Sequence, residues 1–296
     1  MLYEDVEVRP GRTLRLYYRK VSDGSSPSRS DTIILFLHGV GGCALLWEKQ
    51  MDYLFDQGYD VYAPDFYGHG DSQHPGELEQ KHYTFIELRE DILALFDWIN
   101  PTACVIVSHS YGASFSHYLC KERESQVTQL VEISGSHPRP LKTHCCSIYR
   151  LPVCCFNTCG DYLRRGFMAL AFSQPAPADA APAYNLTPEM FKYVMRGQVW
   201  REHTREYCAC ITQPTLLIVG SQDNFVSLSE VQETEEVIPG ARLVIFNGVG
   251  HMVMLEVPEQ LNVTMLDFIK PTITDQPTPQ PWQPLTTRTK IYSRLL

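Results

Sequence analysis

Three residues far apart in the chain, Ser110, Asp223 and His251, could together carry out acyl-transfer chemistry. A serine hydroxyl is a weak nucleophile at neutral pH. It needs a base to take its proton, and the base needs an acid to hold its orientation. Ser110 stands at the apex of Ser108-His109-Ser110-Tyr111-Gly112. A short run rich in β-branched residues, 104–107, precedes this turn and reads as a buried strand; residues 113–121 follow it and read as a helix. Strand, sharp turn, helix, with small residues two before and two after the serine, is a nucleophile elbow. Strand and helix nearly touch there, so only small side chains fit at Ser108 and Gly112. Serine replaces the more usual first glycine and is still small.

The base is expected at His251, within Gly250-His251-Met252, between the last strand and the last helix. The acid is expected at Asp223, just after the preceding strand. No carboxylate follows the strand at 129–133, so Asp223 has little competition. The side chain of His109 is expected to point away from the nucleophile, and the other histidines to lie at the surface or in packing. Two N–H groups must also face the oxyanion. Tyr111 supplies one; Val40, in the turn His38-Gly39-Val40-Gly41, supplies the other, and Gly39 and Gly41 let the backbone come close to a substrate. That glycine turn lacks Gly-x-Gly-x-x-Gly and the Lys-Ser/Thr of a phosphate loop.

The elements that must position these residues follow from the apolar pattern. Residues 6–8 and 14–19 alternate around Pro10-Gly11 and read as an antiparallel hairpin. Residues 32–37, 60–63, 104–107, 129–133, 214–220 and 242–246 read as strands, several with the continuous apolar character of a sheet buried on both faces. Helical spacing at 44–57, 84–99, 113–121, 229–238 and 258–269 alternates with them, and Thr84 with Glu87 makes a cap for the second helix. Such alternation predicts an α/β fold with a mostly parallel, doubly wound sheet. The turns holding His38, Ser110, Asp223 and His251 all sit at the C-terminal ends of strands, where such sheets bind ligands. The alternation breaks between 137 and 212. This stretch is expected to be a helical cap inserted before the penultimate strand, with a core of 1–136 and 213–270 and a disordered tail at 271–296.

The chain has 296 residues and a formal net charge of −9, which disfavours nucleic acid as a partner. It shows no apolar run of signal-peptide or bilayer-spanning length, so an intracellular, cytoplasmic protein with reduced thiols is expected. The cap carries nine Lys/Arg against five Asp/Glu, a net +4 that leaves −13 on the rest. A basic lid on an acidic body suits peripheral contact with a membrane or lipid surface. Seven of the ten cysteines lie in the cap (Cys145, Cys146, Cys154, Cys155, Cys159, Cys208 and Cys210). They lack a paired Cys-x-x-Cys, even with His144 near, so no metal and no cofactor is expected. A basic, apolar, cysteine-rich segment would also suit S-palmitoylation.

From residue 6 to 270 the chain resembles the α/β-hydrolase superfamily. The resemblance rests on His38-Gly39, Asp65-x-x-Gly68-x-Gly70-x-Ser72, Ser108-x-Ser110-x-Gly112, Asp223 and Gly250-His251. It implies a serine hydrolase of the ester, lipid or thioester kind, here expected to cleave an acylglycerol or phospholipid ester through Ser110, Asp223 and His251. The turn at Asp65 is expected to be structural. Acyltransferases of the superfamily carry His-x-x-x-x-Asp, and this chain has Glu256 at that position. Haloalkane dehalogenases and epoxide hydrolases carry Asp where this chain has Ser110. A non-catalytic interaction protein working through its cap is the other reading.

Overall fold

The computed structural model describes residues 1–20, 31–135, 147–200 and 204–270. The expectations for Cys145, Cys146 and His144 and for the tail at 271–296 lie outside these residues.

The hairpin is present as β1 (Leu2–Arg9) and β2 (Arg12–Arg19), paired antiparallel. Then come β3 (Thr32–Leu37), α1 (Glu48–Asp56), β4 (Asp60–Pro64), α2 (Phe85–Ile99), β5 (Ala103–His109), α3 (Gly112–Glu122) and β6 (Val127–Ile133). Between β6 and the next strand lie α4 (Val153–Ala171), α5 (Pro188–Gly197) and α6 (Arg205–Cys208). The chain continues with β7 (Thr215–Gly220), α7 (Leu228–Val237), β8 (Arg242–Phe246), α8 (Val253–Glu256) and α9 (Pro258–Ile269). The eight strands form one sheet in the order β1-β2-β4-β3-β5-β6-β7-β8. β2 meets β4 antiparallel, and every pairing from β4 to β8 is parallel.

Side chains alternate across a strand, so a strand covered on both sides must be apolar throughout. In β3, Ile34 and Phe36 enter one core layer and Leu35 and Leu37 the other; in β5, Val105 and Val107 face the first layer and Cys104 and Ile106 the second. Trp47, Met51 and Leu54 with Leu261 and Met265 of α9 close the first layer. Leu88, Ile92 and Leu95 of α2 with Phe115 and Leu119 of α3 close the second. The register of β5 against β3 and β6 places Ser108 beside Leu37 and Glu132, so the elbow leaves from the middle of the sheet.

Two local differences from the sequence expectation have physical causes. The single helix expected at 44–57 begins instead as a 3-10 turn, Ala44–Trp47. Asp65 Oδ1 takes the N–H of Ala44 at 2.6 Å, and Leu46 donates to Cys43 three residues back, which winds the chain more tightly. The short helix α8 directly after His251 had no sequence signature, since four residues are too few to show a period.

Candidate active site

Ser110 follows β5 with φ +52°, a left-handed conformation that is costly for a residue with a side chain. Its N–H donates to the Ile133 carbonyl at 3.0 Å, which ties the apex to β6. The neighbours leave no room for larger residues. A Cβ on Gly39 would lie 2.9 Å from Ser110 Cβ, and one on Gly112 would lie 2.6 Å from the Leu37 carbonyl oxygen. Ser108 does more than stay small, because its hydroxyl meets Ser116 Oγ at 3.1 Å and thereby pins strand to helix.

Asp223 Oδ2 lies 2.8 Å from His251 Nδ1. Asp223 Oδ1 accepts the N–H groups of Phe225 and Val226 at 2.8 and 3.0 Å. Burial pushes the Asp223 carboxyl up, but the His251 hydrogen bond, the imidazole charge and the two N–H groups outweigh it and hold the group at about 2. The carboxylate is therefore ionised across the ordinary pH range and accepts the Nδ1 proton. That fixes the His251 tautomer, with Nε2 bearing the lone pair. Ser110 and His251 line one cavity of about 360 Å³, together with Val40, Tyr111, Tyr149, Phe167, Phe191 and Phe225.

The N–H groups expected to face an oxyanion border the same cavity. Among the described residues neither the Val40 nor the Tyr111 N–H is taken by a hydrogen bond. Gly41, at φ +76°, turns the chain there, and its carbonyl accepts from Asn185 N–H at 2.6 Å. His38 is fully buried and held neutral, its pKa pushed well down by desolvation. It donates from Nδ1 to the Gly39 carbonyl at 2.8 Å and accepts the Phe66 N–H at Nε2, 3.0 Å away. Asp65 binds the N–H of Ala44 and, at 2.7 Å, that of Asp71. The turns before α1 and after β4 are thus braced by His38 and Asp65.

His109 packs against the His251 loop. Its ring lies tilted against that of His251, centroids 4.6 Å apart, and its Nε2 meets the His251 carbonyl at 3.1 Å. Burial drives it down to about 3, so it is neutral and donates from Nε2. Ser134, itself at φ +49°, donates its hydroxyl to the same carbonyl at 3.3 Å. On the other side, the His251 and Met252 N–H groups both bond the Ala171 carbonyl, 2.9 and 3.2 Å away, at the end of α4. Glu256 completes the frame. Its Oε1 accepts the Gly250 N–H at 2.9 Å, and its Oε2 accepts from Ser173 N–H at 3.1 Å and from the Ser173 hydroxyl. A Cβ on Gly250 would fall within 3 Å of Glu256 Oε1, Ser173 N and the Ala171 oxygen. The part that His109, Ser134, Ala171 and Glu256 play in holding the His251 loop has no sequence signal, because they act on its backbone atoms.

Another buried histidine and carboxylate pair with each other away from the cavity. His117 on α3 and Glu132 on β6 form a fully buried ion pair, with Cys208 Sγ 3.9 Å from His117 Nδ1. Among the described residues no three His, Cys, Asp or Glu side chains gather as metal ligands. No helix among them is long and apolar enough to cross a membrane.

A strand–elbow–helix serine, an Asp–His pair on later strand ends and a glycine turn beside them, on a sheet of this order, describe a hydrolase of the α/β class. The family model described as "Alpha/beta hydrolase family" matches residues 34–263, and the chain belongs to that family. Human Protein ABHD8 is 34% identical over 266 residues, covering 88% of this chain and 60% of that protein. The chain therefore spans about three-fifths of the length of this curated relative. Among solved structures, a putative aryl esterase from Burkholderia cenocepacia superposes with a TM-score of 0.74 at 24% identity, covering 90% of this chain and 98% of that one. An esterase from Exiguobacterium antarcticum does so at 0.73 and 19%, covering 91% and 100%. At these identities both likenesses show the fold.

Proposed function

We propose that the chain is a serine hydrolase of carboxylic esters, acting on acylglycerol or phospholipid esters. The observation that carries this reading is the 2.8 Å Asp223–His251 bond at the edge of the cavity that Ser110 also lines. His251 Nε2 takes the Ser110 proton as Oγ attacks the ester carbon, and the Val40 and Tyr111 N–H groups hold the oxyanion. Collapse expels the alcohol, which receives the proton from His251, and leaves an acyl-serine. Water, deprotonated by His251, then releases the acid. Asp223 stays ionised throughout and steadies the imidazolium.

Aromatic walls from Tyr149, Phe167, Phe191 and Phe225 support an apolar acyl group. An acyltransferase role is less well supported, because both oxygens of Glu256 are already engaged with Gly250 and Ser173. The insertion between β6 and β7 exposes Ile148, Leu151, Tyr162 and Leu170 near Arg150, Arg164 and Arg165. Apolar tips among cations suit peripheral binding to an anionic lipid surface.

A fluorophosphonate probe should label the folded protein at Ser110, and Ser110→Ala should lose both labelling and turnover of a lipid-ester panel. Failure to label Ser110 in folded protein would refute the reading. Sedimentation with anionic but not neutral vesicles is expected for the lipid contact, and equal sedimentation with both would refute its charge basis.

A further inference from the structure

Two hydroxyls in the wall of the active-site cavity lack the partners that buried hydroxyls normally have. Ser114 is 2% exposed and Tyr111 4%, and both line the cavity. Among the described residues neither Ser114 Oγ nor Tyr111 OH has a hydrogen-bond partner. Ser116, two residues along the same helix, shows the ordinary solution. Its hydroxyl donates to the Ala113 carbonyl at 2.8 Å and meets Ser108 Oγ. Ser114 makes no such bond to the helix backbone among the described residues. Burial raises the Tyr111 phenol far above its usual range, so it remains an O–H. Buried hydroxyls left unpaired are costly, and at a cavity wall a polar group entering the cavity can satisfy them.

Their position gives the ligand chemistry. Ser114 lies four residues beyond Ser110, in the first turn of α3, and lines the same cavity. A group that reaches it from an acyl carbon at Ser110 sits only a few bonds from the ester carbonyl. Ser114 and Trp200 also form the wall shared with a smaller cavity of about 180 Å³. The rest of the main cavity is largely apolar, with Leu46, Phe167, Phe191 and Phe225 in its wall. We propose that the acyl group of the substrate carries an oxygen, a hydroxyl or a carbonyl, close to the ester, and that the Ser114 hydroxyl receives it with Tyr111 beside it. This rests on the hydrolase reading above and narrows its substrate class. A site built to bond an oxygen discriminates strongly against the analogue that lacks it, because binding the analogue keeps the protein hydroxyls unpaired.

The test compares the p-nitrophenyl esters of β-hydroxyoctanoate and octanoate. The wild-type chain should show kcat/KM about tenfold or more in favour of the hydroxylated ester. In Ser114→Ala that ratio should fall to about one. This variant removes a buried, unpartnered hydroxyl and should melt no lower than wild type, which the same preparation reports. A wild-type ratio near or below one, or the same ratio in Ser114→Ala, would overturn the proposal. If neither ester is hydrolysed and Ser110 takes no probe, the hydrolase reading falls separately. Calorimetric binding of the two free acids then decides the subsite. Tighter binding of β-hydroxyoctanoate, lost in Ser114→Ala, supports it, and equal affinities overturn it.

Discussion

Replacing Glu256 should slow the proposed reaction although its side chain does not line the cavity. Its carboxylate accepts three hydrogen bonds from two separate segments, Gly250 in the His251 loop and Ser173 after α4. Glu256→Ala leaves the Gly250 and Ser173 N–H groups in a partly closed corner without an acceptor. Each such loss costs about 1–3 kcal/mol, reduced where water can enter, so about 2–4 kcal/mol of stability is expected to go. Gly250 adjoins His251, and the backbone of His251 is also tied to Ala171 on the same side. A shift of about 1 Å in the imidazole costs about a hundredfold in rate. Glu256→Ala should therefore lower kcat/KM about a hundredfold, mainly through kcat, and slow fluorophosphonate labelling of Ser110 in parallel. Glu256→Gln keeps one acceptor oxygen and points an NH2 at the other N–H, so it should fall between alanine and wild type. Ser173→Ala loses only the hydroxyl bond and should cost less than either. Labelling kinetics with melting measurements on the three variants is the assay. A Glu256→Ala protein that labels Ser110 at the wild-type rate while melting lower would refute the coupling between this brace and the base.

Asp223 is held at about 2 against an ordinary 3.8, so its contribution to stability is fully present above pH 3.8 and is lost as pH falls toward 2. That amounts to about 2 kcal/mol, and acid unfolding of wild type against Asp223→Asn should show the gap close over that window; a constant gap would contradict it. Burial lowers His117, but the Glu132 charge outweighs it and raises the imidazole to about 10. The pair therefore supports the fold fully below pH 6.5 and ceases to do so as pH rises through 10. His117→Ala at neutral pH should cost about 3–5 kcal/mol in chemical unfolding, with a second substitution, Glu132→Leu, recovering part of it. Among the described cysteines, Cys154, Cys155, Cys159 and Cys210 are exposed, while Cys43, Cys104, Cys120 and Cys208 are buried. Maleimide mapping of the native protein should modify the first four rapidly and the second four only after denaturation, and rapid loss of Cys104 or Cys120 would contradict the packing.

What could be read from the sequence was whatever declares itself through residue type and order. Ser110 announced itself through the small residues flanking it, and Asp223 and His251 through their places after successive strands; the structure joins the last two directly. The parallel sheet was legible because a strand covered on both faces can hold no polar alternation, as in β3 and β5. Residues that work through another residue's backbone were not legible. His109 looked like a bystander because nothing in a pentapeptide shows which way a ring turns, and Ala171 contributes only a carbonyl, which every residue has. The 3-10 turn at Ala44–Trp47 was hidden for a similar reason, since its cause, Asp65, lies 21 residues away.

The backbone at Ser110 carries a further meaning. A glycine at that apex would adopt φ +52° freely, whereas serine there gives up about 1–2 kcal/mol. The fold thus carries a local backbone cost at the one point where it holds a hydroxyl against the cavity.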